Sequence, residues 1–176
     1  MTTIVLPEPA LVLLIGTSGS GKSTFAARHF DAADVLSSDG FRGRVAGDEG
    51  DQSVTAEAFE ALHAAAASRL ELGRSAVIDA TNLWPDVRRP LVRQARDRRV
   101  VAVAIVLDVP ESVCLERNRG RLDRYVSSPV VRRQRAALRR SVDRLEREGF
   151  GLVVFLRGVD EVDAVTIERR SVREAT

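Results

Sequence analysis

Apolar and polar positions follow two rhythms along the chain. Residues 10–16, ALVLLIG, are apolar without a break and end in glycine, the pattern of a strand buried on both faces. ADVLSS (33–38), SAVIDA (75–80), VVAVAIVLDV (100–109) and GLVVFL (151–156) repeat it, and AVTIE (164–168) is a shorter candidate near the end. Between them apolar residues recur at helical spacing. Helices are predicted from about Lys22 to Phe30, from Thr55 to Leu72, from Asp86 to Arg98 and from Pro110 onward. In the second, Phe59, Leu62, Ala66 and Leu70 share a face and Gly73 is the stop signal. A last long helix carries Val131, Leu138, Val142 and Leu145 and runs to Gly149. The polar stretches FRGRVAGDEGDQ (41–52) and NRGRLDRYVSSP (118–129) read as loops. Apolar strands alternating with helices predict an α/β fold: a three-layer sandwich with a parallel central sheet. No internal repeat, linker or low-complexity run divides the 176 residues, so residues 1–176 are expected to form a single domain.

Composition changes the picture little. The chain is 44% hydrophobic and 30% charged with a formal net charge of +2, so overall charge does not announce a nucleic-acid binder. Its distribution says more. Residues 1–80 hold six basic and eleven acidic side chains, and the remainder is net basic, which hints at a polyanionic partner for the C-terminal half. For most of these arginines solvated helix faces are the better account. The one cysteine, Cys114, excludes a disulfide framework and is expected to be a small buried hydrophobe. No segment approaches the ~20 apolar residues of a membrane span, and the N-terminus lacks the basic start of a signal peptide, so a cytoplasmic enzyme is expected. His29, in the last turn of the first helix, would complement the helix dipole as a cation. His63 lies mid-helix, and both histidines are expected to be structural.

The turn after the first strand reads GTSGSGKST: Gly16, Thr17, Ser18, Gly19, Ser20, Gly21, Lys22, Ser23 and Thr24. Gly16, Gly21, Lys22 and Ser23 satisfy the phosphate-loop pattern G-x-x-x-x-G-K-[ST], and a buried strand before it with a helix after it is the required context. Glycines let backbone N–H groups face phosphate oxygens, and the helix N-terminus adds positive charge. Lys22 would reach the β and γ phosphates of ATP or another NTP, and the Ser23 hydroxyl would ligand Mg²⁺. Lys22 is also the only lysine among 27 basic residues, and a compact ammonium suits a crowded phosphate pocket.

A single lysine already used by this loop excludes the Asn-Lys-x-Asp motif of GTPases. A kinase needs a base for its acceptor hydroxyl, and Asp39 in VLSSDGFR, at the end of the second strand, is a candidate. Arg42 would then grip an anion on the acceptor. A turn-forming or capping role for Asp39 remains open. Asp79, ending the third strand in AVIDATN, would bind Mg²⁺ through water or orient Ser23; an Asx turn with Thr81 and Asn82 is the alternative. Arg117 and Arg121 in ERNRGRLDR are spaced i, i+4, so one helix face would present both from a helical lid over the nucleotide, spanning about 111–147.

Together GTSGSGKSTF, VLSSDGFRG, GDEGDQ, VIDATN and ERNRGRLDR, in this order, resemble the bacterial 5′-hydroxyl polynucleotide kinases. More closely they resemble the N-terminal kinase domain of the bacterial polynucleotide kinase-phosphatases that heal and seal broken RNA. The resemblance covers roughly Leu11 to Ile167 and implies phosphorylation of 5′-OH ends of RNA or DNA. It assigns Lys22 and Ser23 to the NTP and Mg²⁺, Asp39 to general-base work and Arg42 to the phosphate next to the terminal nucleoside. Arg117 and Arg121 would be lid arginines on the NTP phosphates, and Gln52 and Val130 would flank the terminal base. The large family members continue into phosphatase and ligase-like domains, whereas this chain ends at Thr176; it is expected to be an excised domain or a stand-alone kinase. The alternative is a small-molecule P-loop kinase acting on gluconate, shikimate, a nucleoside or a nucleotide sugar.

Overall fold

The computed structural model describes residues 2–46, 55–120 and 126–171. The apolar runs become strands of a parallel five-stranded sheet. These are β2 (Ala10–Ile15), β3 (Val35–Ser37), β4 (Ala76–Asp79), β5 (Val101–Asp108) and β6 (Leu152–Arg157), in the spatial order β3-β4-β2-β5-β6. Helices cover both faces, so the strands are apolar on both sides. On one face Leu11, Leu13, Ile78 and Ala104 pack with α3 (Thr55–Glu71) and α4 (Pro85–Asp97), through Leu62, Ala66, Leu70, Leu91 and Ala95. On the other, Val12, Leu14, Val77, Ile105 and Leu107 pack with α1 (Lys22–His29) through Phe25 and Ala26, and with Cys114 of α5 (Glu111–Arg119). The expected three layers are present.

The register fixes which residues share the working rim. Leu14 lies opposite both Asp79 and Ile105, and Ser37 lies opposite Asp79. The chain leaves β2 for β3 on one side and returns for β5 on the other. This reversal beside β2 opens a crevice at the carboxyl ends of the strands, where α/β sheets bind ligands.

Four segments depart from the expectation. The stretch after β3 is not a loop from Phe41 onward: Ser38–Ala46 forms α2. Gly40 and Gly43 are poor helix formers, but Phe41 and Arg42 are buried, and tertiary anchorage outweighs propensity. The predicted helix ending at Gly149 is two pieces, α6 (Ser128–Ser141) and a 3₁₀ segment (Val142–Glu148). At the junction the Ser141 hydroxyl donates to the Leu83 carbonyl at 2.9 Å and to that of Leu138 at 3.4 Å, a back-bond of the kind that bends helices. Gly149, at φ 98°, is the stop the sequence predicts. Residues Thr3–Glu8 form an unexpected strand, β1, paired in parallel with β7 (Thr166–Ser171) as a separate two-stranded sheet. Ile4 and Leu6 alternate inward with the period of two, but Pro7 hides that short pattern. Gly158–Ala164 form a further short helix, α7, where Glu161 reaches back to accept the N–H of Arg157 at 2.7 Å.

The expected lid range also contributes to the cores. Cys114, Val131, Leu138 and Leu145 are fully or almost fully buried and belong to the two cores.

Candidate active site

The turn between β2 and α1 is shaped by its glycines. Gly19 and Gly21 take φ values of 83° and 93°, a region that side chains disfavour. At Gly19 a Cβ would also run into the carbonyl oxygen of Cys114, so α5 buttresses the loop from behind. Thr17 and Ser20 are buried in that backing, with the Thr17 hydroxyl 3.3 Å from the Cys114 sulfur. Cys114 is the buried hydrophobe expected, and it also supports the loop. The Lys22 ammonium, 8% exposed, donates to the Gly16 and Thr17 carbonyls, both at 2.9 Å, and to the Ser20 hydroxyl at 3.4 Å. An ammonium has three donors, and the loop's own oxygens meet them. Ser23 and Thr24 are exposed on the first turn of α1.

This loop forms part of the wall of a cavity of about 450 Å³. Ser18, Gly19, Gly21, Lys22, Ser23 and Thr24 line one part, and Ser38, Asp39 and Arg42 line another. Asp79, Ala80, Thr81, Phe59, Arg117 and Gln134 complete the lining. Residues from six elements and loops thus meet, including Lys22, Ser23, Asp39, Arg42, Asp79 and Arg117 from the expected set. Arg117 stands close to the Gly21 backbone: a Cβ added there would lie 3.3 Å from its guanidinium. Val130, in the first turn of α6, is half-buried and does not line the cavity. Gln52 and Arg121 lie outside the described residues.

Asp39 and Arg42 are explained by α2. They sit i, i+3 on its first turns, and the two side chains form an ion pair. Arg42 is 3% exposed. Helix formation therefore does what a loop would not: it fixes a carboxylate and a guanidinium on one face, both in the cavity. Such a carboxylate can accept a hydroxyl proton, and such a guanidinium can take an anion bidentately.

The alternative of an Asx turn at Asp79 is met by a different residue. Asn82, at φ 48°, donates its side-chain amide to the carbonyls of Leu14 (2.8 Å), Ile78 (3.3 Å) and Ala80 (3.3 Å). The Gly16 N–H in turn reaches the Thr81 carbonyl at 3.1 Å. Asn82 thereby ties the end of β4 to the end of β2, Thr81 joins it to the start of the phosphate loop, and Asp79 lines the cavity. Among the described residues no three histidine, cysteine or carboxylate side chains form a metal cluster. The donors present are the Ser23 hydroxyl with the Asp39 and Asp79 carboxylates, all hard oxygens in one cavity. That set suits Mg²⁺ carried in by phosphates, since Mg²⁺ keeps several waters and needs few protein ligands.

Five lining residues lie outside the expected set: Ser38, Ala80 and Thr81, which adjoin expected residues, and Phe59 and Gln134, which come from other helices. Phe59 was read as a core residue of α3, yet it also walls the cavity. Gln134 escaped notice although its oxygen accepts the Ser18 N–H at 2.8 Å. The signal was available: Gln134 occupies a polar place in the inward stripe of Val131 and Leu138. His29 is a correction. Burial, and then the neighbouring Arg28, lower its pKa from the ordinary 6.5, so it tends to the neutral form and not to a dipole-complementing cation.

Comparison with known proteins agrees with this architecture. A family model described as an AAA domain matches residues 11–145, from the second residue of β2 to the 3₁₀ segment. No curated protein matches the sequence. The RNA repair complex of Pnkp1, Rnl and Hen1 contains a chain that superposes with TM-score 0.67 at 22% identity, covering 78% of this chain and 46% of that one. This protein therefore spans under half the length of that relative. A gluconokinase from Sinorhizobium meliloti gives TM-score 0.56 at 19% identity, covering 88% and 86%. The APS kinase CysC of Mycobacterium tuberculosis, with AMPPNP and APS, gives 0.53 at 18%, covering 90% and 94%. At these identities the likeness is one of fold: that of P-loop kinases.

Proposed function

The chain belongs to the AAA domain family, and from that premise we propose that it transfers the γ-phosphate of ATP or another NTP to the 5′-OH end of RNA or DNA. The observation that carries this reading is the Asp39–Arg42 pair, held by α2 in the same cavity as Lys22 and Ser23. A kinase for a neutral polyol needs the carboxylate alone. An arginine beside it suits an acceptor that brings its own phosphate next to the reacting hydroxyl.

In this reading Lys22 leaves the Gly16 and Thr17 carbonyls for the β and γ phosphates. Asp39 accepts the proton of the 5′-hydroxyl as its oxygen bonds to the γ-phosphorus and the bond to the bridging oxygen of ADP breaks. Arg42 holds the acceptor phosphate, which fixes the hydroxyl in line. Arg117, beside Gly21, stabilises charge on the transferring group, a role shared by Arg121. Mg²⁺ bound with the nucleotide would neutralise charge on the phosphates, held by Ser23 and, through water, by Asp39 and Asp79. Gln52 and Val130 would flank the terminal base. The likeness to a chain of the Pnkp1/Rnl/Hen1 RNA repair complex supports a nucleic-acid repair setting.

The test is transfer of label from γ-labelled ATP with Mg²⁺ to a 5′-OH oligonucleotide, with the 5′-phosphorylated strand as control. Asp39→Asn should lower kcat by about 10² or more and leave the KM for ATP nearly unchanged, the range for a lost general base. Arg42→Ala should raise the KM for the oligonucleotide and not for ATP. A second reading is a small-molecule kinase, favoured by the near full-length match to the gluconokinase and the APS kinase. Label on gluconate or a nucleotide-sized acceptor, with none on the oligonucleotide, would establish it in place of the first.

A further inference from the structure

Gln134 projects from α6 into the phosphate end of the cavity, where it lines the wall with Ser18, Lys22, Ser23 and Arg117. Its contact with the Ser18 backbone is decided by chemistry. A backbone N–H needs an acceptor, so the carboxamide must turn its oxygen to Ser18, and the 2.8 Å bond shows it doing so. The other end of the same planar group is an NH₂ with two donors. Among the described residues no oxygen accepts from it.

The helix that carries Gln134 is firmly set. Val131 before it and Leu138 after it are buried, and the adjacent Arg135 is ion-paired to Asp108 at the end of β5. The amide is therefore presented from a rigid element, and its rotation is pinned by the loop it serves. The loop commits one backbone donor to Gln134 and gains two side-chain donors in exchange. These are neutral, so unlike Lys22 and Arg117 they favour a phosphate oxygen by direction more than by charge.

We propose that Gln134 is a phosphate-binding residue of the site: its Oε1 fixes the Ser18 segment while its Nε2 donates to an oxygen of the terminal phosphate of the bound NTP. The proposal rests on the phosphoryl-donor half of the function proposed above and is independent of the acceptor.

Gln134→Glu separates the two ends of the amide. A glutamate still accepts the Ser18 N–H but offers no donor. The full chain, with Mg²⁺, would be titrated calorimetrically with a non-hydrolysable ATP analogue and with ADP. Wild type should bind both; failure to bind either would remove the nucleotide reading itself. With wild-type binding in hand, Gln134→Glu should weaken the ATP analogue at least about tenfold more than ADP, the loss expected for a hydrogen bond to a charged group. Gln134→Ala, which removes both ends, should weaken the analogue and also loosen the Ser18 segment, read as faster amide exchange there. Equal weakening of analogue and ADP in Gln134→Glu, or none in either, overturns the proposal and leaves Gln134 as a support of the loop alone. If Gln134→Glu melts too low to titrate, the Gln134→Ala ratio of analogue to ADP decides by the same criterion.

Discussion

His63 shows how a single side chain acquires a measurable consequence from where it sits. It lies mid-helix in α3, edge-on to Phe59 at 6.4 Å, with its Nε2 buried and unbonded. Burial lowers its pKa from the ordinary 6.5. The folded protein therefore takes up that proton less readily than the unfolded chain. Its contribution to stability is complete above about pH 6.5 and is lost as pH falls toward the folded value, and His29 acts in the same direction. The midpoint of thermal unfolding should drop between pH 7 and 5, and His63→Leu should flatten part of that drop. An unchanged slope in the variant would place the acid sensitivity elsewhere. At this scale the sequence was most legible where a motif fixes the position of a residue, as with Lys22 and Ser23, which line the cavity where the loop pattern puts them. It was least legible where a residue's meaning depends on its neighbour in space. Gln134 is the example: its polar place in the inward stripe of Val131 and Leu138 marks it as unusual, but the partner, Ser18, lies 116 residues away.

Among the elements, the junction of α4, α6 and the 3₁₀ segment matters most for the site. Arg88, fully buried in α4, makes a two-bond pair with Glu148 at 2.8 and 2.5 Å. It also donates to the Asn82 and Leu83 carbonyls at 2.9 and 2.7 Å. Asn82 is the residue that ties the end of β4 to the end of β2, so this ion pair braces the rim beside the phosphate loop. Arg88→Met would strand the Glu148 carboxylate, which is 4% exposed, and should cost about 3–5 kcal/mol of stability, measured by urea unfolding. The double change Arg88→Met with Glu148→Leu should recover much of it, because an apolar pair leaves no buried charge. The elements themselves were read from periodicity wherever they were long and regular. Two rules gave way. Glycine-rich α2 reads as a loop because Phe41 is anchored in a core whose other members lie far away in sequence. The helix to Gly149 reads as continuous because the bond from Ser141 to Leu83 is invisible locally.

For the whole molecule, topology explains why so many chemically distinct groups converge. The order β3-β4-β2-β5-β6 places β2, with its phosphate loop, between the strand that ends in Asp79 and the strand that leads to α5. That order cannot be read from periodicity, nor can the small β1–β7 sheet, whose partners are separated by most of the chain. Charge belongs to this scale too. Arg89, Arg93, Arg96 and Arg147 line a second, smaller cleft alongside α4, outside the set that forms the site. In the proposed reading a 5′ end would be gripped only at Arg42 and its surroundings, which involves few phosphates. The logarithm of acceptor affinity against that of salt should then have a shallow slope, about −1 to −2 at roughly −0.7 per phosphate for single strands. A slope steeper than about −4 would mean that the strand also runs over the arginine cleft.

The solitary lysine has a practical corollary. With 27 basic residues and one ε-amine, the chain has a single side chain on which an acylating reagent can form an amide, and it is the one buried behind the glycine-rich turn. In most enzymes amine chemistry reports an average over the surface. Here the rate of side-chain amide formation would read one event, the release of Lys22 from its partners around the loop. In the proposed reading a nucleotide seated on that ammonium should slow the reaction, which would give an occupancy gauge needing neither a tag nor an acceptor.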